Sequence, residues 1–396
     1  MTLKEKIARL AKAYKDEITG IRRHLHANPE LSYKEYETCA FVEDELQKIG
    51  LKAEKMGGTG VVSIIEGKNP DSRVIALRAD LDALPITEEN DLAYKSTRPG
   101  IMHACGHDAH TAVLLGAAKI LQQTKDQWSG TVKLIFQPGE ERNPGGATYM
   151  IKDGALKNPV PQGIVALHVH PSLEVGKLSF RKGTVMASAD ELYITLKGKG
   201  GHAAAPQLTT DIILVASHLV VSLQQIISRN NNPLNPSVLS ITSFQGGYTT
   251  NVIPSEVKLM GTLRCLNEGW RAKAHELITR QVTHIAEAMG AEAEIHIDRG
   301  YPTVLNHPEL TGNAWHLAEE FLGAENVEET EMRMGAEDFG YYAQEIPGCF
   351  YRLGVMNKAK GITSGVHTPT FNIDEEGLEI GMATMAWLGA NLQLKL

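Results

Sequence analysis

The chain has 396 residues, of which 42% are hydrophobic and 22% charged, and this length favours more than one hydrophobic core. Its formal net charge of −8 argues against a nucleic-acid partner or an acidic membrane surface. No apolar run approaches the roughly 18 residues that span a bilayer, and the first residues lack the apolar core of a signal peptide. Cys39, Cys105, Cys265 and Cys349 form no CxxC pair. These features predict a cytoplasmic protein with free thiols.

The first part of the chain alternates helical and strand patterns. Helices are predicted over 2–27, 34–49, 107–123 and 147–156, and strands over 61–67, 73–80, 131–137 and 163–170. Strands that alternate with helices indicate a largely parallel sheet with helices on its faces. In such sheets the functional groups gather beyond the carboxyl ends of the strands.

A different order of predicted helices and strands begins near residue 187. The predicted order is strand 189–198, helix 211–228, strands 236–247 and 255–265, helix 268–290 and strand 291–300. This β-α-β-β-α-β order is that of a ferredoxin-like unit. After them, helices near 308–323 and 375–393, on either side of the strand CFYRLG, resume the alternation of helices and strands seen in the first part of the chain. We therefore predict an α/β fold, with a large domain of residues 1–186 and 300–396 that has a mostly parallel sheet flanked by helices, and an inserted ferredoxin-like α+β domain of residues 187–299.

Candidate metal ligands follow the predicted strands of the large domain. They are Asp80 and Asp82, the group Cys105, His107 and Asp108, the pair Glu140 and Glu141, the pair His168 and His170, and the distant His367. Three of these clusters close or follow strands that we predict to be neighbours. Thiolate, imidazole and carboxylate together suit zinc, manganese or a similar divalent ion. Adjacent glutamates suit a division of labour in which one binds metal and the other transfers protons during hydrolysis of a carbonyl compound.

Each cluster also has a simpler interpretation. The segment HACGHDAHT could be a helix start capped by Asp108, and FQPGEE could be a turn with two surface glutamates. Cys105 and His107 could act as nucleophile and base, but such pairs normally meet through the fold rather than two residues apart. A purely structural zinc site is closed and often has paired cysteines. The clusters taken together favour a catalytic metal site.

The motifs RADLDALP, HACGHDAHTA, FQPGEE, ALHVHP, GKGGHAAAP, TNVIP, GTLR, GAEDF and VHTP occur in this order. The chain thereby resembles the M20 metallopeptidases, and more narrowly their amidohydrolase branch of aminoacylases, hippurate hydrolases, indole-acetyl-amino-acid hydrolases and some carboxypeptidases. The resemblance extends from RRHLHANPELSYKEYET to the last helix. It implies two divalent metal ions per subunit, which could be zinc, manganese, cobalt or nickel. It also implies that the inserted domain is a lid that mediates dimerisation, giving a homodimer or a higher oligomer.

The resemblance also implies roles for individual residues of the large domain. The matching metal ligands are Cys105, His107, Glu141, His168 and His367. Glu140 matches the general acid/base that deprotonates the attacking water and passes the proton to the departing amine. Many M20 metallopeptidases have a histidine where this chain has Asp80, and the RAD sequence supports the narrower branch. Asp80, Asp82 and Asp108 are expected to orient the ligand histidines by hydrogen bonds, although Asp82 could instead cap a turn.

Three residues of the inserted domain match groups that contact the substrate. His202 matches a histidine that reaches the active site of the partner subunit and helps to bind the oxyanion. Asn251 and Arg264 match residues that hold the free carboxylate of the substrate, a task that suits the planar fork of arginine. More simply, His202 could be a histidine on a surface loop, Asn251 a turn former before Pro254, and Arg264 an exposed strand residue.

The sequence therefore predicts a dinuclear metal-dependent amidohydrolase that cleaves N-acyl-L-amino acids, small molecules, to a carboxylic acid and a free amino acid. A metallo-carboxypeptidase or dipeptidase is the nearest alternative, because the same groups would cleave a C-terminal peptide bond. An alternative of another class is a non-catalytic protein that binds metal or ligand on the same fold. The intact pair Glu140 and Glu141 argues against that alternative.

Overall fold

The structure, a computed structural model, describes residues 1–394. The helices are α1 (Leu3–Ala27), α2 (Tyr36–Lys48), α3 (His107–Thr124), α4 (Gly146–Asp153), α5 (Ile212–Gln225), α6 (Glu268–Ala288), α7 (Pro308–Leu322), α8 (Phe339–Glu345) and α9 (Glu376–Asn391). The strands are β1 (Ala53–Met56), β2 (Gly60–Glu66), β3 (Val74–Asp80), β4 (Thr131–Gln137), β5 (Gly163–Glu174), β6 (Leu178–Phe180), β7 (Gly183–Met186), β8 (Asp190–Lys197), β9 (Gly201–His202), β10 (Ser237–Gln245), β11 (Val252–Ile253), β12 (Glu256–Cys265), β13 (Glu292–Arg299), β14 (Val304–Asn306), β15 (Val327–Glu329) and β16 (Gly348–Met356).

The chain divides into two compact units. The large unit comprises Met1–Gly183, Leu305–Glu331 and the chain from Asp338 onward, and the small unit comprises Thr184–Val304 and Met332–Glu337. The domain boundaries that the sequence predicts, 1–186 with 300–396 and 187–299, stay a prediction.

The large unit is built on an eight-stranded sheet of order β1-β2-β4-β3-β5-β16-β6-β15. Its four central strands, β4, β3, β5 and β16, are parallel, and antiparallel pairs join β1 to β2, β2 to β4 and β6 to β16. Every residue of β3 and β4 is buried, as expected for strands that are covered on both faces. Helices α1, α3 and α9 pack on one another and contribute to the core of this unit. The predicted α/β architecture with helices around a central parallel sheet is confirmed.

Helix α3 starts in the middle of the segment that the sequence singles out. Gly106 precedes its first residue, His107, and has a φ of 85°. A Cβ atom at Gly106 would lie 2.5 Å from Cγ2 of Val169 on β5. The position therefore needs glycine both for its left-handed backbone and for its close approach to the sheet. This contact places the start of α3 directly beside Val169, in the middle of β5.

The small unit has the predicted ferredoxin-like arrangement. Its sheet has the order β10-β12-β8-β13, all neighbours are antiparallel, and α5 and α6 contact each other and this sheet. Within the described residues, Ile212–Asn230 is the one helical stretch that is long and apolar enough to cross a membrane. Ile212, Val215, Leu219 and Leu223 of this stretch lie in the core of the small unit, which accounts for its apolar composition.

Candidate metal centre

Three predicted clusters lie at the carboxyl ends of adjacent strands of the large sheet. Asp80 ends β3 and Asp82 follows it, and Glu140 and Glu141 follow β4. His168 lies in β5, two residues before its continuous pairing with β16 ends at His170. The sheet places β3 between β4 and β5. Because parallel strands end at the same edge, the three clusters face one region of the large unit.

Two further segments bring the remaining candidate ligands to the same edge. Cys105 and His107 lie on either side of Gly106, at the start of α3. His367 lies in the loop before α9, where its backbone N–H donates to the carbonyl oxygen of Ala104 over 2.8 Å. It is a non-glycine residue with a φ of 61°, a backbone conformation that normally costs free energy and that is often found at functional sites.

The five predicted ligands form two groups of three that share one residue. One group is Cys105, His107 and His168, and the other is Cys105, Glu141 and His367, and in each the ligand atoms lie within 4.8 Å of one another. The Sγ atom of Cys105 is 3.4 Å from Nε2 of His168. Nε2 of His367 is 3.2 Å from Oε1 of Glu141. Glu140 lies in a third such group with His107 and Glu141.

The surroundings of His107 fit a bound cation. Its Nε2 atom is buried and makes no hydrogen bond within the part of the chain that the structure describes. Carboxylate oxygens of Asp80, Glu140 and Glu141 lie 3.8, 4.0 and 3.9 Å from that atom. Ligands that bind one zinc ion at about 2.0–2.3 Å are separated from each other by about 3–4 Å. The residues present therefore suit a divalent ion in both chemistry and spacing.

The electrostatics of the site also fit a bound cation. Burial alone would lower the pKa of His107, but the charges of Asp80, Asp82 and Glu141 outweigh it and raise the pKa to about 10. Burial, and then the charges of Glu141 and Glu140, raise the pKa of the Cys105 thiol well above its usual range. A thiolate at this position therefore needs a positive charge beside it, which a metal ion supplies. Burial lowers the pKa of His168, and the neutral imidazole is the form that binds metals.

The three aspartates have different partners. Asp82 contacts a predicted ligand, because its Oδ1 atom is 3.2 Å from Nδ1 of His107. Asp80 bonds instead to His110, with Oδ1 2.6 Å from Nδ1. Asp108 neither caps a helix nor contacts a ligand histidine; it pairs with Arg22 at 2.8 Å and with His26 at 2.7 Å. The expectation that all three aspartates orient ligand histidines by hydrogen bonds is therefore wrong for Asp80 and Asp108.

The other two histidines of HACGHDAHT have different surroundings: His110 also lies in a group of possible ligands, with Asp80 and His107. Both ring nitrogens of His110 are engaged, one by Asp80 and the other by the backbone N–H of Val169 over 2.9 Å. His103 is buried, and burial lowers its pKa to about 4. Neither of its ring nitrogens has a hydrogen-bond partner among residues 1–394.

Three predicted site residues lie in the small unit. His202 on β9 pairs with Val252 on β11, and the carbonyl oxygen of Asn251 accepts from Ala203 N–H over 3.0 Å. Arg264 lies near the end of β12, half-buried, and its Nε donates to Oγ1 of Thr262 over 3.1 Å. The structure therefore brings His202 and Asn251 together and leaves Arg264 apart from them.

Segment 28–35, for which the sequence predicts no role, contacts the candidate centre. Ser32 donates from Oγ to Oδ2 of Asp82 over 2.6 Å, and Gly139 N–H donates to Oε1 of Glu35 over 2.8 Å. In the sequence this segment stands out only through RRHLHANPELSYKEYET, where the resemblance to the M20 metallopeptidases begins.

Comparisons with known proteins agree with this geometry. A model of peptidase family M20/M25/M40 matches residues 76–389. Thermostable carboxypeptidase 2 of Saccharolobus solfataricus is 40% identical over 399 residues and matches 100% of both chains. An N-acyl-L-amino acid amidohydrolase of Geobacillus stearothermophilus is 43% identical over 307 residues, 77% of this chain and 82% of that protein. The solved structure of the YXEP protein of Bacillus subtilis, described as a dinuclear metal-binding peptidase, is 34% identical, covers 96% of this chain and 98% of that one, and has a TM-score of 0.83. The chain therefore belongs to peptidase family M20/M25/M40, a family of metal-dependent hydrolases of amide and peptide bonds.

Proposed function

We propose that this protein cleaves the amide bond of N-acyl-L-amino acids with the help of two divalent metal ions. The observation that carries the proposal is the convergence of Glu140 and the five candidate ligands at one edge of the large sheet. Two groups of three that share Cys105 include all five ligands, which suits two neighbouring ions. The dinuclear peptidase of Bacillus subtilis, 34% identical over almost the whole chain, supports this number of ions. The donor set of thiolate, imidazole and carboxylate suits zinc, manganese, cobalt or nickel.

In this proposal Glu140 transfers the protons. Bound metal ions would polarise the scissile carbonyl and make water easier to deprotonate. Glu140 accepts a proton from the attacking water as the water oxygen bonds to the carbonyl carbon. It then donates that proton to the nitrogen as the C–N bond breaks, which releases the amino acid and returns Glu140 to its starting state. Asp82 holds Nδ1 of His107, so that Nε2 stays directed towards the carboxylates.

The residues of the small unit would bind the substrate. Asn251 and Arg264 would hold the free carboxylate, and His202 would stabilise the charge that develops on the carbonyl oxygen. Within the small unit, however, Leu263 pairs with Asp190 at one end of the sheet and Glu256 pairs with Lys197 at the other, where β9 follows. At about 3.3 Å per residue, eight strand residues separate these ends by roughly 25 Å. His202 and Asn251 therefore do not reach the same small substrate as Arg264 of the same chain, which supports a dimer in which each site takes Arg264 from one subunit and His202 and Asn251 from the other.

The surface of the small unit supports the dimer as well. Leu214 and Val221 on α5 are 50% and 74% exposed, and Val238 and Phe244 are exposed on β10. Strand β10 is at the edge of its sheet, and such an edge can pair with another strand. Apolar side chains beside an open strand edge are typical of an interaction surface.

Mixing two inactive variants tests the shared site. We expect Glu140→Gln and His202→Ala each to be inactive, and the mixture to recover activity, because one site of each heterodimer then has both residues intact. Random re-association would give about a quarter of wild-type activity. Heterodimers isolated with two different affinity tags provide the measurement. Tagged heterodimers without any recovered activity would exclude a contribution of His202 to the partner's site.

A hydrolysis screen tests the proposed reaction. The protein is loaded separately with zinc, manganese, cobalt and nickel, and incubated with acetyl and benzoyl amino acids, with their methyl esters and with dipeptides. We expect release of free amino acid from the N-acyl substrates and much less from the esters, which lack the carboxylate that Arg264 and Asn251 would bind. Equal cleavage of acid and ester would contradict that binding mode.

A carboxypeptidase is the second candidate. It is favoured by the 40% identity with thermostable carboxypeptidase 2 over the whole chain. Faster cleavage of dipeptides or longer N-blocked peptides than of acetyl and benzoyl amino acids would select it. A metal-loaded protein that hydrolyses none of these compounds would support the non-catalytic alternative.

The four cysteines are free thiols, which supports the prediction of a cytoplasmic location.

A further inference from the structure

The loop after β4 is held on both sides of Glu140 by buried carboxylates from other parts of the chain. On one side, Glu141 N–H donates to Oδ2 of Asp82 over 2.9 Å. On the other, Gly139 N–H donates to Oε1 of Glu35 over 2.8 Å. Asp82 already has a role through His107, whereas the proposed reaction gives none to Glu35.

Glu35 is fully buried and both of its oxygens accept hydrogen bonds. Oε1 accepts from Tyr33 N–H over 2.9 Å in addition to Gly139 N–H, and Oε2 accepts from Oγ1 of Thr59 over 2.6 Å. These donors are all neutral. Burial, and then the charge of Asp82, therefore raise the pKa of Glu35 to about 7. A buried carboxylate that faces only neutral donors costs free energy.

Tyr33 holds the same loop at further points. Its hydroxyl donates to the carbonyl oxygen of Arg142 and accepts from Gly145 N–H over 3.1 Å. Its ring packs so closely on Gly139 that a Cβ there would lie 2.3 Å from Cε1 of Tyr33. Tyr33 has a φ of 65°, and its N–H bond to Glu35 helps to maintain this strained backbone. Glu35 therefore fixes both the loop and the residue that packs on it.

We propose that Glu35 is a positioning residue that sets the direction of the Glu140 carboxylate by holding the backbone N–H of the preceding residue, Gly139. The proposal rests on the proposed function, in which Glu140 transfers the protons. Proton transfer needs the carboxylate within hydrogen-bond reach of the attacking water, and a displacement of about 1 Å can cost about 100-fold in rate. The two flanking hydrogen bonds keep the backbone of Glu140 from moving by that distance.

The test compares Glu35→Ala with Glu35→Gln. We expect Glu35→Ala to lower kcat by about 10–100-fold, with little change in KM or in metal content. Glutamine should restore kcat to within a few-fold of wild type, because its amide oxygen can accept from Gly139 N–H while its NH₂ group donates to the Thr59 hydroxyl. If Glu35→Ala does not fold, Tyr33→Phe provides a milder variant, since it removes the hydroxyl contacts with Arg142 and Gly145 and should also lower kcat.

Glu30 provides a matched control. It is a buried carboxylate of the same segment that accepts from the backbone N–H groups of Glu37 and Thr38 at the start of α2. Glu30→Ala should lower the melting temperature and leave kcat unchanged. The proposal is overturned if folded Glu35→Ala keeps wild-type kcat, if Glu30→Ala loses kcat equally, if glutamine is no better than alanine, or if Tyr33→Phe, used in its place, keeps wild-type kcat. A wild-type protein that hydrolyses no amide would overturn the proposed function and this proposal together, whereas an active wild type with an unimpaired Glu35→Ala overturns this one alone.

Discussion

Glu140→Gln is expected to lower kcat by about 10³–10⁴-fold, at the upper end of what a general acid/base contributes, and to leave the metal content unchanged. The substitution keeps the shape of the side chain and removes its ability to accept a proton. The five proposed ligands do not include Glu140, so both ions should remain bound. Turnover measured together with metal analysis of the same sample checks both halves of the prediction.

Glu141→Gln is the matched control for that experiment. Glu141 has the same side chain as Glu140 and follows it directly in the chain. Its Oε1 atom lies 3.2 Å from Nε2 of His367. We expect this variant to lose metal, with its activity partly restored by a high metal concentration. Removal of a general base should leave far less than a tenth of wild-type turnover. If Glu140→Gln keeps more than about a tenth, the assignment of Glu140 is wrong. If the two variants lose metal equally, Glu140 is a ligand.

Cys105→Ser is expected to weaken the binding of both metal ions. Cys105 belongs to both groups of candidate ligands, and a hydroxyl is a much poorer ligand than a thiolate for soft and intermediate ions. The affinity should fall by more than the roughly 10–100-fold that is typical when a residue behind a ligand is replaced. Competition with a chelator of known affinity gives the dissociation constants.

Cys265→Ser provides the control, because Cys265 is a buried free thiol of the small unit. It should bind metal as the wild type does, even if its stability falls. Loss of one ion only in Cys105→Ser would contradict the shared ligand. Unchanged affinity for both ions would remove Cys105 from the metal site.

The long elements were predictable from the sequence, and the short ones were not. Helix α3, predicted over 107–123, is observed at His107–Thr124, and strand β4 matches its prediction of 131–137. By contrast β6 and β15, with three residues each, are too short to display an alternation of apolar and polar residues. These two strands form the outer part of the large sheet, so its far edge could not be derived from the pattern.

In the site, the positions of residues at strand ends were predictable, whereas contacts between side chains far apart in the sequence were not. The predicted neighbours β3, β4 and β5 are adjacent, and this adjacency places Asp82, Glu141 and His168 at one edge. The partners of Asp108 could not be predicted, because Arg22 and His26 precede it by 86 and 82 residues. A helix-start pattern describes only neighbours in sequence, and it therefore suggested a cap where the fold forms a buried ion pair.

The glycine between Cys105 and His107 has a consequence for the choice of ion. Gly106, held at a positive φ against Val169, fixes the backbone that joins Cys105 to His107, so the two residues have little freedom to move apart. Calcium needs six to eight oxygen ligands at about 2.3–2.6 Å in a flexible shell, and a stiff sulfur–nitrogen pair offers neither. The centre would therefore discriminate against calcium by the fixed backbone between these two ligands as well as by its ligand chemistry.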